Sequence, residues 1–213
     1  MMKTGILWDL DGTLLDTLAD LTDALNYAMD RFGYPRRTME DVRNFIGNGA
    51  RRLIALSVPD GADVDAVLAV YKTYYDAHCQ IKTRPYEGIP EALAALAQKY
   101  PMAVVSNKPD SAVKPLCAQY FPGIFARGES ADCPRKPAPD MLFKAMEAIG
   151  VETCIYVGDS DVDVLTAKAA GVPCLSVLWG FRDREEIEAV GGQNFCGDTA
   201  QLAEKLEELI NGK

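Results

Sequence analysis

The stretch Gly5-Ile6-Leu7-Trp8-Asp9-Leu10-Asp11-Gly12-Thr13-Leu14-Leu15-Asp16-Thr17 joins a short apolar run to two carboxylates and a glycine. An apolar run without polar alternation suits a strand buried on both faces, as in a parallel sheet. In open α/β sheets, ligands bind beyond the carboxyl ends of the strands. Asp9 and Asp11 fall at such an end, where two carboxylates separated by one residue converge on one point. Asp-Gly is also a common turn pair, so a plain turn is the competing reading of these residues.

Working outward, the strand pattern recurs at 102–105, 154–157 and 173–178, and more weakly at 123–126 and 194–196. Helical patterns lie between. Residues 90–100 place Leu93, Leu96 and Ala97 on one face, and residues 140–149 place Leu142, Phe143, Met146 and Ile149. Residues 161–170 stop at Gly171, a good helix terminator. Strand–helix alternation predicts a doubly wound, Rossmann-like α/β fold with a parallel sheet. Residues 17–82 break the rhythm with helical patterns alone, at 18–32, 39–45, 50–56 and 64–78. They predict a small all-helical domain inserted after the first strand. Arg84-Pro85-Tyr86-Glu87-Gly88 returns the chain, so the α/β core spans 1–16 and 83–213.

Three further constellations stand beside predicted core elements. Val157-Gly158-Asp159-Ser160-Asp161-Val162-Asp163 crowds three alternate carboxylates at a strand end, which is costly unless a cation neutralises them. A calcium loop would carry Gly and Glu where Val164 and Ala170 stand, which excludes it. Helix capping by Ser160 or Asp161 is compatible with the pattern and leaves Asp159 unexplained. Ser106-Asn107 follows the second main strand, where a hydroxyl and backbone N–H groups can hold phosphate oxygens or simply cap a helix. Arg135-Lys136-Pro137-Ala138-Pro139-Asp140 opens a helix, and Lys136 is either a solvated side chain or a partner for carboxylates and a phosphoryl group.

Composition narrows the chemistry. Among 213 residues the net charge is −9 and the pI about 4.7, which disfavours nucleic acid and anionic membranes as partners. The six cysteines show no C-x-x-C spacing and no clustering with histidine, so they read as free thiols of a cytoplasmic protein rather than a zinc site. His78 is the one histidine, which disfavours histidine-based catalysis. No run is apolar enough to cross a membrane, and the apolar run before Asp9 is too short for a signal segment. No Gly-x-x-x-x-Gly-Lys loop suggests a kinase or nucleotide switch. Nothing specifies an oligomeric state.

Taken in order, these motifs resemble the haloacid dehalogenase-like superfamily of hydrolases over nearly the whole chain. The helical insert matches the family's cap. The resemblance implies that Asp9 attacks phosphorus to form an aspartyl-phosphate and that Asp11 serves as acid and then base. It implies Mg²⁺ held by Asp9, Asp159 and Asp11, the last through its backbone carbonyl. Ser106, Asn107, Lys136 and Gly12 would meet the phosphoryl group, and Asp163 would orient Lys136 or a metal-bound water. An acid at position 11 implies phosphotransfer rather than dehalogenation. Phe45-Ile46-Gly47-Asn48-Gly49-Ala50-Arg51-Arg52 and Trp179-Gly180-Phe181-Arg182 are similar to segments of phosphoglycolate phosphatases. That likeness implies a small phosphorylated metabolite as partner, with Arg51 or Arg52 on its carboxylate. A sugar-phosphate mutase like beta-phosphoglucomutase, a pyrophosphatase and a non-catalytic binding protein remain as alternatives. A phosphonoacetaldehyde hydrolase needs a site lysine in the insert, and Lys72 and Lys82 are the only ones offered.

Overall fold

A computed structural model describes residues 3–212. The elements run β1 (Thr4–Trp8), β2 (Leu15–Asp16), α1 (Leu18–Phe32), α2 (Met39–Phe45), α3 (Ala50–Ser57), α4 (Val64–His78), β3 (Arg84–Pro85), α5 (Ile89–Ala97), β4 (Met102–Pro109) and α6 (Asp110–Tyr120). They continue with β5 (Phe125–Glu129), α7 (Asp140–Ile149), β6 (Thr153–Gly158), α8 (Asp161–Ala170), β7 (Cys174–Val177), α9 (Arg184–Ala189), β8 (Asn194–Cys196) and α10 (Leu202–Ile210).

Six strands form one sheet in the order β5-β4-β1-β6-β7-β8, and every pairing is parallel. The fold is doubly wound: the chain builds outward from β1 to β5, then crosses back to β6 and builds the other way. β1 sits between β4 and β6, with Trp8 opposite both Val104 and Val157. Its side chains alternate between two cores. Ile6 and Trp8 join one cluster with Leu93, Val113 and Leu206, while Leu7 joins another with Leu142, Ala145 and Tyr156. Full burial of such side chains contributes about 1.5–3 kcal/mol each, and two apolar faces explain why these strands lack polar alternation.

Helices α1 to α4 all lie between the short antiparallel strands β2 and β3, where Leu15 pairs with Pro85 and Asp16 with Arg84. Their ends are set locally. Thr38 and Asp41 form a reciprocal capping box on α2, Asp63 accepts from two backbone N–H groups of α4, and Gly33 closes α1 in the left-handed conformation.

Some expectations shift. Phe143 is 48 % exposed, because α7 buries Met141, Leu142 and Ala145 instead, and Ala97 is also exposed. The weak strand expected at 123–126 lies at Phe125–Glu129, paired with β4 at the sheet edge. β4 itself runs past Val105 to Pro109, with a register shift against β5. All six cysteines are free. Among the described residues no helix is long and apolar enough to cross a membrane.

Candidate active site

Asp9 directly follows β1 and Asp159 directly follows β6, whereas Ser106 and Asn107 lie within the carboxyl half of β4 rather than after it, and the parallel pairing of the three strands makes them neighbours. The Asp9 N–H donates to Val157 O at 2.8 Å, fixing one loop against the next strand. After Asp9 the chain folds tightly: the N–H groups of Leu14 and Leu15 both donate to Leu10 O. Leu10 and Leu14 are fully buried, so this turn is anchored in the core.

Asp159 is 1 % exposed; its Oδ1 accepts from the Thr13 hydroxyl at 2.9 Å and its Oδ2 from the Phe181 N–H at 2.7 Å. The Trp179 indole N–H in turn donates to Thr13 O, so the segment 179–182 closes over the Asp9–Thr13 loop. Gly12 has φ +83°, and a Cβ there would lie 2.3 Å from Asp159 Oδ2. Its N–H donates to Leu15 O, so Gly12 permits a close approach and does not offer that N–H to substrate. Gly12→Ala is expected to cost about 1–3 kcal/mol and to displace Asp159; urea unfolding and turnover would both read the change.

Lys136 joins this cluster from the loop before α7. Its Nζ donates to Asp163 Oδ1 at 2.8 Å and to the Tyr156 hydroxyl at 2.9 Å. It also lies 2.8 Å from Asp9 Oδ1, so Asp9 and Asp163 share one buried ammonium. Tyr156 passes its own O–H to Asp163 Oδ1 at 2.9 Å. Asp163 Oδ2 accepts from the Ser160 hydroxyl and N–H, completing the capping box of α8. Of the readings of the 157–163 stretch, helix capping is realised, by Ser160 rather than Asp161; Asp159 and Asp163 turn toward Asp9, while Asp161 opens α8 outside that cluster. Asn107 holds the Lys136 loop in place: its Oδ1 accepts from Lys136 N–H, and its Nδ2 donates to Lys136 O and Gly47 O. Ser106 is buried and its Oγ accepts from the Lys108 N–H at 3.2 Å.

Burial pushes the Asp9 carboxyl well above its usual range; Lys136 opposes this, while Asp163 and Asp159 add to it. Burial raises Asp159 to about 7, with Asp163 adding to the shift and the bonds from Phe181 and Thr13 opposing it. Burial disfavours the Lys136 charge, but Asp163 and Asp9 outweigh it and hold the ammonium above its usual range.

Carboxylate oxygens of Asp9, Asp159 and Asp163 lie within 4.8 Å of one another. Asp163 is already committed, with two donors on each oxygen. Asp9 Oδ1 faces only the shared Lys136 ammonium, and each Asp159 oxygen has one hydrogen bond. Buried, under-bonded carboxylates crowded together fit a small hard cation with oxygen ligands. The Asp11 side chain points elsewhere: its Oδ1 accepts from Lys108 Nζ at 2.7 Å.

Asp9, Asp11, Ser106, Asn107, Lys136 and Asp159 line one cavity, which α4 closes with Tyr71 and Tyr75 and the loop after α2 with Ile46 and Gly47. Arg182 ties the two sides by donating to Arg43 O and Ile46 O, each at 2.7 Å. Arg51 does not reach this cavity. It is 60 % exposed and paired with Asp65 on α4 at 3.0 Å, and Arg52 is exposed as well. The sequence alone does not mark Lys108 or Tyr156 as site residues. Lys108 carried one signal, its place directly after Ser106-Asn107; Tyr156 carried one too, a hydroxyl inside a strand buried on both faces.

This chain belongs to the haloacid dehalogenase-like hydrolase family, whose model matches residues 6–177. Among its curated relatives it is 37 % identical over 197 residues to phosphoglycolate phosphatase 1 of Pseudomonas aeruginosa, covering 85 % of this chain and 72 % of that protein. It is 35 % identical over 218 residues to the phosphoglycolate phosphatase of Agrobacterium fabrum, covering 94 % and 92 %. A crystal structure from Lactobacillus delbrueckii subsp. bulgaricus, provisionally assigned as a phosphoglycolate phosphatase, superposes with a TM-score of 0.89 at 37 % identity, covering 97 % and 99 %.

Proposed function

We propose that this phosphatase hydrolyses a small phosphomonoester, most specifically 2-phosphoglycolate, through a phosphoryl group carried on Asp9. The observation that carries the reading is the Asp9 carboxylate, buried beside Lys136 and Asp159 at the carboxyl end of the central strand. The phosphoglycolate phosphatases among its relatives support the substrate.

In this reading an Asp9 oxygen attacks phosphorus, and the bond from phosphorus to the glycolate oxygen breaks. Asp11 gives that oxygen a proton, then takes one from the water that attacks the aspartyl-phosphate and releases phosphate. Lys136, Ser106 and the Asn107 N–H stabilise the phosphoryl oxygens. Asp163 and Tyr156 position Lys136 through the bonds described above. Asp9, Asp159 and the Asp11 carbonyl would hold Mg²⁺, which supplies positive charge that lets two anions approach. Residues 17–82 act as a cap over the core formed by 1–16 and 83–213, and cap closure excludes water.

Phosphate release from phosphoglycolate, pyrophosphate and hexose phosphates, each with Mg²⁺ and with a chelator, tests this reading. Metal-dependent release with phosphoglycolate preferred is expected. Isomerised product without phosphate, or release unaffected by chelation, would overturn it.

The pH dependence of metal binding supplies a separate check. A carboxyl whose pKa rises on folding keeps its proton in the folded state after the unfolded chain has lost it. Its contribution to stability therefore falls as pH climbs from the ordinary 3.8 to about 7, the window set by Asp159. Mg²⁺ competes with that proton. It should raise the melting temperature more near pH 7.5 than near pH 5, and equal shifts in thermal melts at the two pH values would contradict the site.

A further inference from the structure

We infer that Lys108 is the specificity residue of this site, selecting a substrate with an anionic group at the end remote from its phosphoryl group. The inference rests on the phosphomonoester reading above and concerns a residue that reading does not use.

The Lys108 side chain is 3 % exposed, yet its Nζ has one charged partner, Asp11 Oδ1, at 2.7 Å. An ammonium has three N–H donors, and burying it with only one carboxylate leaves much of its desolvation cost uncompensated. The Nζ also lies 4.6 Å from the centre of the Tyr75 ring on α4, so it faces the helical side of the cavity. Tyr75 lines the same cavity, and its buried hydroxyl has no hydrogen-bond partner.

The other cations near the cavity are committed or solvated. Lys136 is shared by Asp9, Asp163 and Tyr156. Arg182 donates to backbone carbonyls, Arg51 pairs with Asp65, and Lys72 is exposed. The two buried lysines therefore divide the cavity. Lys136 serves the end at Asp9, and Lys108 offers charge and spare donors between Asp11 and α4. A short ester that places its phosphoryl group at Asp9 and extends toward α4 brings its far end to Lys108. A carboxylate there completes the ammonium's bonding, whereas a neutral hydroxymethyl end does not.

The test compares kcat/KM for phosphoglycolate and for 2-hydroxyethyl phosphate, which differ in that end group, in wild type, Lys108→Met and Lys108→Gln. Both variants are expected to lower the ratio of phosphoglycolate to 2-hydroxyethyl phosphate by about tenfold to a hundredfold. Any loss common to both substrates reports the altered Asp11 contact. Lys108→Gln keeps a donor for Asp11 without the charge, so it reads the preference if Lys108→Met does not fold. A wild type that prefers phosphoglycolate, with the ratio unchanged within twofold in the variants, would overturn this inference alone. A wild type with no preference between the esters would overturn the phosphoglycolate reading and this inference together.

Discussion

Asp9→Asn is expected to lower phosphate release by at least about 10⁴-fold, with the fold intact. An amide in place of the carboxylate cannot act as the nucleophile, and no neighbouring group replaces it. Asp163 carries two donors on each oxygen, Asp159 is held in place by Thr13 and Phe181, and Asp11 is held by Lys108 on the far side of the cavity. The structural cost should be small, because burial, Asp163 and Asp159 disfavour that charge, and Lys136, which favours it, keeps Asp163 as a counter-ion. Melting curves should match wild type or move upward, and a phosphate assay should show the loss. Turnover within tenfold of wild type would remove Asp9 from the chemistry.

Lys136→Met is expected to have the second-largest effect, on stability as well as rate. Met fills a similar volume, but the change strips Asp163 and Asp9 of the buried cation they share. Removing one partner of a buried ion pair typically costs about 3–5 kcal/mol, and urea unfolding should show a loss of that size. Turnover should fall by at least about 10²-fold, as for other removed charge-stabilising donors. A double-mutant cycle with Asp163→Asn should give a coupling of about 1 kcal/mol or more. Additive effects would mean that the two side chains do not act as a unit.

The fold was legible where one local pattern decides it. The helices at 18–32, 39–45, 64–78, 140–149 and 161–170 lie where periodicity and glycine stops put them. Helix α6 is hidden in the sequence, because Pro115 interrupts the pattern in its interior. The β2–β3 pair has two residues per strand and shows no periodicity at all. At the sheet edge, Arg127 and Glu129 mask β5.

The site follows the same division. Asp9, Asp11 and Asp159 stood out because each sits where an apolar strand ends, which is local information. Lys108 and Tyr156 acquire their meaning from contacts 97 and 20 residues away in sequence, with Asp11 and Lys136. Arg51 illustrates the converse: the sequence shows a cation just after Gly47 and Gly49 but not that it opens α3 and that Asp65, on the next helix, neutralises it at the surface.

The central claim, a phosphoryl group carried on Asp9, is tested most directly by trapping it in Asp11→Asn. That variant lacks the group proposed to activate water, and p-nitrophenyl phosphate has a leaving group that needs no acid. Rapid quench of the variant with this ester and Mg²⁺, followed by mass spectrometry of the Asp9 peptide, should show a burst of nitrophenolate and a phosphoryl adduct on Asp9. Nitrophenolate release with no adduct, or with the adduct on another residue, would contradict the account.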